Sequence, residues 1–448
     1  MIISDQEKRC GRHVPSVVIS TLIVVCCFVS CAETAKESPH PPTELAYPTN
    51  LALDATGRYL FVVSSNFDLR YDGAAIQVLD LTTHTFLPDA AIQLPSFPGI
   101  LTLREKNGKS ANGYVPVRET DSLAWFDIVW SDTNPPTPDL RCGGNADNAT
   151  GIEICSEDYR LKRKEIPNKG TLRVGNDPFG IGIRTSTGIG DDILFTGALR
   201  DGILAVYRLD HLGKPRLVDN RTLASGLYGI ATSPATGVTY VSTQLSQQVY
   251  TIETAPEQVG LSTSPAEPTD PTEAEASPVT SLGAFGIPNV SSAVNYGQSI
   301  HFNKTGTRAY LVMRSPPSVV IIDTTPGMNG VAKNQVIGFV DVGARPAELA
   351  VVSQSNGIAD RLYVPCFGSG DLYVIDTAIG ATIDIVHLGV GPYDIVVTDQ
   401  PTLGLNRAYI SMFEESAIAV VELNPTDPFF HQVIAKIRST PDYLIAAQ

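Results

Sequence analysis

The feature that most constrains this chain is a repeat. A short strand-like run, usually opened by an aromatic residue, returns seven times in order: Tyr59–Val63, Tyr114–Val117, Ile193–Thr196, Tyr240–Thr243, Tyr310–Met313, Tyr363–Cys366 and Tyr409–Met412. Each is followed by a second apolar run that ends on an acid: Ile76–Asp80, Leu123–Asp127, Val249–Glu253, Val319–Asp323, Leu372–Asp376 and Ile418–Glu422. The third copy, Leu204–Arg208, ends on a base instead. Upstream of each pair lies a first strand, usually preceded by Pro or Gly, as in Asn50–Asp54, Tyr228–Thr232, Glu348–Val352 and Tyr393–Val397. A weaker fourth strand follows, as in Ile383–Leu388 and Gln432–Ile437. Four short antiparallel strands per unit, at a spacing of roughly forty to fifty residues, are the pattern of propeller blades. A single sheet of this kind cannot bury two apolar faces, so each blade must stack on its neighbours and the ring buries a continuous core. The expected fold is therefore all-β, a seven-bladed β-propeller of four-stranded antiparallel blades over residues 47–438.

These blades resemble the YVTN family of bacterial β-propellers, whose motif joins a Pro-led strand, an Asp-Gly turn, a Tyr-Val strand and a Val-Ile-Asp strand. The resemblance runs from about Tyr47 to Ile437 and is strongest in the first, sixth and seventh copies. Composition agrees with many short strands and tight turns: 37 Gly and 32 Pro, with 18% charged residues. After the last blade, 439–448 forms a C-terminal closing segment, in which Pro441–Ala446 reads as another first strand beside or in competition with the Asn50 strand.

The N-terminus carries a separate signal. Lys8, Arg9 and Arg12 precede an apolar run from Val14 to Val29, and Phe28, Val29 and Ser30 lead into Cys31. This resembles a bacterial lipobox, with Phe28 where Leu is usual. The resemblance implies a signal peptide over 1–30, cleavage before Cys31, and a membrane anchor through lipid on that cysteine. Plain secretion and an uncleaved anchor helix are the alternatives, although the apolar run is short for a span. Residues 31–46 then read as a Pro-rich tether. Ala32, which is not Asp, leans toward the outer membrane by analogy with enterobacterial sorting. The expected location is the cell envelope, facing the periplasm or the cell surface.

Two segments fall outside the repeat. Residues 134–169 hold Cys142, Cys155 and the basic run Arg160–Lys164; in an oxidising compartment the two cysteines are expected to form a disulfide pinning a polar loop. Asn145, Asp147, Asn148 and Glu153 in that loop offer oxygen ligands without EF-hand spacing, so a solvated turn explains them as well as calcium does. Residues 256–278 are rich in Pro, Glu, Ser, Thr and Ala and read as a mobile acidic loop.

A net charge of −15 leaves little footing for nucleic acid, which needs clustered Lys and Arg. Chain direction in a propeller puts the start of each first strand and the turn between second and third strands on one face round the central channel. Those turns contain Arg70, Arg118, Arg200, Gln244, Arg314, Phe367 and Phe413; the strand starts contribute Asp177, Tyr228, Gln298, His301, Arg345, Glu348, Tyr393 and Asp394. Arginines beside carboxylates can hold an anionic or glycan ligand bidentately, or they can stitch adjacent blades through ion pairs. Motifs for covalent haem, a nucleophile elbow or a zinc protease are missing, and no cofactor is expected. The preferred reading is a lipid-anchored envelope module that binds a protein, peptide or glycan partner. The rival is an extracytoplasmic hydrolase: seven-bladed lactonases of related fold use Glu, Arg and His at the channel, for which Glu348, Arg345 and His301 are the matching residue types.

Overall fold

Seven antiparallel four-stranded sheets succeed one another along the chain in the computed structural model, which describes residues 38–166, 170–186, 191–255, 276–288, 297–353, 359–438 and 441–443. Blade 1 runs Pro48–Leu53, Tyr59–Ser64, Ala74–Asp80 and Thr85–Leu94; blade 2 runs Thr102–Lys106, Lys109–Val117, Ser122–Trp130 and Pro138–Arg141. Blade 3 takes Pro178–Arg184, Asp192–Ala198, Ile203–Leu209 and Pro215–Thr222, and blade 4 takes Leu227–Thr232, Thr239–Thr243, Gln248–Thr254 and Val279–Gly286. Blade 5 is Gly297–Phe302, Arg308–Arg314, Pro317–Asp323 and Gln335–Asp341. Ala350–Ser353, Asp360–Cys366, Asp371–Asp376 and Ala381–His387 make blade 6, and Pro392–Gln400, Leu405–Met412, Ala417–Glu422 and Val433–Ile437 make blade 7. The signal peptide 1–30, Cys31 and residues 256–275 of the acidic segment lie outside the described residues.

Alternation within the strands explains the ring. Successive side chains of a strand point to opposite faces, so in blade 1 Tyr59, Phe61 and Val63 pack against blade 2 while Leu60 and Val62 pack against blade 7. The same division gives an apolar cluster at every blade boundary. The last boundary joins Leu51, Leu60 and Leu79 to Tyr409, Ile418 and Ile437. The circle thus closes without a strand shared between blades 7 and 1, each blade's four strands coming from one continuous stretch of chain.

The repeated tyrosines bolt neighbouring blades together. All sit in the second strand, and all but Tyr363, whose ring instead packs on His431, send the hydroxyl to the following blade: Tyr59 to the Pro136 carbonyl at 2.9 Å, Tyr114 to the Gly213 carbonyl at 2.6 Å, and Tyr240 to Asn334 Oδ1 at 2.5 Å. Tyr310 donates to Asp360 Oδ2 at 2.5 Å, and Tyr409 meets His84 Nε2 at 3.4 Å, which closes the ring onto blade 1. In blades 1, 5, 6 and 7 the acid that ends the third strand pairs across the sheet with an Arg one or two residues before the aromatic, as in Arg58–Asp80 at 2.7 Å and Arg308–Asp323 at 3.0 Å. Blade 3 reverses the charges: Arg208 faces Asp191 at 3.8 Å, so its departure from the acid pattern keeps the pair.

Three local features refine the sequence reading. Pro441–Tyr443 pairs antiparallel with Val433–Ile437 as a fifth strand outside blade 7, and not beside the Asn50 strand, because Pro48–Leu53 already fills the first position of blade 1. Within 134–169, Pro138–Arg141 is the fourth strand of blade 2, and Glu153–Ile154 pairs in parallel with Ile92 and Gln93 at the edge of blade 1. The expected Cys142–Cys155 disulfide is present. Residues 38–46 of the tether are laid against blade 1, where His40 is fully buried and its N–H donates to Gln93 Oε1 at 2.8 Å.

Candidate functional site

Backbone geometry at one recurring station shapes the channel face. The residue at the entry to the first strand lies in the left-handed region in six blades, directly before the strand at Tyr47, Asp177, Gly226 and Gly391 and before the isolated bridges of Pro98 and Pro346 at Phe97 and Arg345, with φ between 51° and 84°. For the four that are not glycine this costs about 1 to 2 kcal/mol each, which packing of the blades must offset. Immediately after it, a bulge interrupts the pairing of first and second strands in blades 1, 3, 4, 5 and 7. Bulges of this kind re-aim side chains. Here the bulged positions carry Thr49, Phe179, Tyr228, Gln298, Ser299, Tyr393 and Asp394, with Asn50 directly after the first of them, so one irregularity repeated round the axis sets what the channel mouth displays.

Two of these side chains close the axis. Tyr228 of blade 4 and Tyr393 of blade 7 bring their hydroxyls to 3.1 Å, although no two blades in a ring of seven stand further apart. Phe179 lies against Tyr228 with ring centroids 4.7 Å apart. Burial pushes both phenols above the ordinary tyrosine range, with the partner hydroxyl and Glu348 adding to the effect on Tyr228.

Beside this bar runs a polar belt across blades 1, 7, 6 and 5. Asp394 Oδ2 accepts from Asn50 Nδ2 at 2.7 Å and from the Leu51 N–H at 2.6 Å, while its Oδ1 accepts from the Ile395 N–H at 2.7 Å. Asn50 Oδ1 in turn accepts from the Leu101 N–H at 2.8 Å. Burial, reinforced by the Glu348 carboxylate, raises the Asp394 carboxyl well above the usual carboxylate range. Glu348 Oε1 stands 2.6 Å from His301 Nε2. Gln298 Nε2, Ser299 Oγ and the half-buried Arg314 Nε have no hydrogen-bond partner among the described residues, which leaves donors on the blade 5 side of the axis.

Above the bar the face is aromatic. Tyr47, Phe67, Phe413, Phe367 and Tyr393 form a connected run with centroid separations of 5.1 to 6.2 Å, and Phe97 joins at Phe67. Phe67 is 57% exposed. The arginines divide into two groups. Arg70 pairs with Asp68 in its own loop and lies over Tyr47, and Arg118 forms a fork with Asp177 that stitches blade 2 to blade 3. Arg345 stands over the Phe367 ring at 4.9 Å and Arg200 is exposed; neither has a carboxylate partner among the described residues.

Of the residues singled out in the sequence, the fold brings His301, Glu348 and Asp394 together and sends Arg345 to the aromatic run instead. Reading for charge overlooked Tyr47, Phe67 and Phe97, although they occupy the same turns and strand starts that yielded the arginines. In the disulfide loop, Asp147 Oδ1 accepts from the Ala149 and Thr150 N–H groups and Glu153 Oε1 from those of Cys142 and Gly144, so these carboxylates hold the turn. No cluster of three or more His, Cys, Asp or Glu side chains among the described residues is disposed to hold a metal.

Fold and face together define a seven-bladed β-propeller whose axis is barred by two tyrosines beneath an aromatic, arginine-bearing surface. No family model matches the sequence, and no curated protein matches it. Solved structures share the architecture. A putative 6-phosphogluconolactonase from Bacteroides uniformis superposes with a TM-score of 0.51 at 15% identity, over 83% of this chain and 95% of its own. The periplasmic gluconolactonase PpgL of Pseudomonas aeruginosa does so with a TM-score of 0.50 at 15% identity, over 77% and 86%. At such identity the likeness is one of fold.

Proposed function

We propose that this protein is a non-catalytic binding module of the cell envelope, anchored by lipid on Cys31, that presents its aromatic and arginine-bearing face to an extracytoplasmic partner. The observation that carries this reading is the Tyr228–Tyr393 contact. It bars the axis and leaves the outer side of this face open, where Phe67 is exposed and Arg345 has no carboxylate partner among the described residues. Aromatic rings and arginine are the residue types that dominate binding energy at recognition surfaces. The Cys142–Cys155 disulfide supports an oxidising compartment. Among the described residues no helix is long and apolar enough to cross a membrane, and the lipobox-like Cys31 supplies the anchor in this reading.

The test is binding of the lipidated protein to isolated envelope polymers and periplasmic proteins. Saturable binding to one fraction, lost in Arg345→Ala and Phe367→Ala with unchanged thermal stability, supports the proposal. Failure to bind any fraction overturns it. Loss of acyl label and of membrane fractionation in Cys31→Ser tests the anchor.

A second reading, an extracytoplasmic lactonase, is favoured by the His301–Glu348 contact and by the likeness of fold to the two lactonases above. Fold alone does not carry activity. Turnover of a lactone panel that disappears in His301→Ala or Glu348→Ala establishes this reading and displaces the first.

A further inference from the structure

A cavity of about 380 Å³ opens on the same face over blades 1 to 3, and its walls specify a ligand more closely than the face as a whole does. Two rings form its apolar side: Phe67 and Phe97, 6.2 Å apart and nearly perpendicular. The polar side mixes donors with acceptors. Glu119 Oε2 accepts from the Ser96 N–H at 2.5 Å and Asp121 Oδ1 from the Asp177 N–H at 2.8 Å. Each of these acids keeps a second oxygen to which no protein group donates among the described residues. Arg118 is consumed by Asp177, whereas the Arg200 guanidinium enters no ion pair among the described residues and offers its donors to the cavity.

Charge then selects among ligand classes. With Arg118 and Asp177 cancelling, the cavity holds one cation, Arg200, against two carboxylates, Glu119 and Asp121. A phosphate or an acidic sugar meets a net negative wall. A ligand made only of apolar surface would leave Arg200 and both acids unsatisfied on desolvation. The complementary ligand donates hydrogen bonds to carboxylates, accepts them from a guanidinium and lays an apolar C–H face on an aromatic ring. Several hydroxyls on one small saturated ring satisfy all three demands, and the volume lies in the range of ordinary ligand pockets.

We infer that this cavity is a subsite for a neutral sugar ring, with Phe67 as the stacking platform, Arg200 as donor, and Glu119 and Asp121 as acceptors. The inference rests on the binding-module reading and names the ligand class for part of that face. The aromatic run from Phe67 through Phe413 to Phe367 continues away from the subsite, so further rings of a glycan chain have surface to follow.

The experiment is saturation-transfer NMR and calorimetry on the whole protein. The probes are glucose, N-acetylglucosamine and their β-linked disaccharides, with glucuronate as the anionic counterpart. Saturation should pass to the ring C–H protons of a neutral sugar, and disaccharides should bind more tightly than monosaccharides. Loss of one charge-assisted hydrogen bond corresponds to about tenfold or more in affinity, so Arg200→Ala should weaken binding by about that factor. Phe67→Ala should remove the saturation signal, and both variants should melt like the parent because the two side chains are exposed. Absence of binding by every neutral sugar, equal binding in Phe67→Ala and Arg200→Ala, or preference for glucuronate overturns the inference. If sugars fail while an envelope fraction still binds in an Arg345-dependent manner, the subsite is refuted and the broader proposal stands; if neither binds, both fall.

Discussion

Asp394 closes the ring, and replacing it should destabilise the protein in a way that depends on pH. Its carboxyl is buried and accepts from three donors, Asn50 Nδ2 and the Leu51 N–H of blade 1 and the Ile395 N–H of blade 7. Asn50, Leu51 and Ile395 are themselves at most 6% exposed. Asp394→Ala leaves three buried donors without an acceptor, at about 1 to 3 kcal/mol each, so a loss of about 3 kcal/mol or more is expected in acid. At higher pH the wild type carries a cost that the variant does not. Burial and Glu348 raise the folded carboxyl well above the usual range, so between the unfolded and folded pKa values the folded state holds a proton the unfolded chain has released. Stability contributed by this proton is fully present below about pH 4 and falls by up to about 1.4 kcal/mol per pH unit as pH rises toward the folded value. The penalty of Asp394→Ala should therefore be largest in acid and shrink as pH rises. Urea unfolding of both proteins from pH 4 to pH 8 reads this directly. Asp394→Asn, which retains one carbonyl acceptor and takes up no proton, should show a smaller loss in acid and the same flattened slope. A penalty that stays constant or grows with pH refutes the assignment of Asp394 as a buried, proton-holding clasp.

Three further outcomes follow from the packing. Arg104 and Asp192 form a buried pair at 2.6 Å joining blades 2 and 3, so Arg104→Ala should cost about 3 to 5 kcal/mol by stranding the carboxylate, measured by thermal or urea unfolding. Opening the Cys142–Cys155 bridge, whose partners are 13 residues apart in sequence, should cost about 3 kcal/mol in the loop-entropy account, read as the difference between Cys142→Ser with Cys155→Ser and the parent. Burial lowers the His84 imidazole from 6.5 to about 4, so its share of stability is present above pH 6.5 and lost as pH falls toward 4. His84→Phe should flatten that limb of the pH–stability curve, a sign opposite to that of Asp394.

The tyrosines, the acids that end the third strands and the seven-fold phase all belonged to the one-dimensional pattern, because each is a local requirement repeated once per blade. A strand buried on both faces must be apolar along its length, and a tyrosine bolt serves the boundary after blades 1, 2, 4, 5 and 7 in the same way. The Arg208 exception was visible too, but its meaning was not: only the cross-strand approach of Asp191 shows that the pair is kept with its charges exchanged.

The sequence by itself determined the ring, the number of blades and which loops share the channel face. Tertiary structure alone decided what that face is. Tyr228 and Tyr393 are separated by 165 positions in the chain, yet their hydroxyls meet across the axis, and Phe67 meets Phe413 by the same closure of the circle. Periodicity encodes contacts between an element and its repeat neighbours. Contacts across the centre of a circle depend on curvature, bulges and side-chain reach, which no fixed spacing along the chain records.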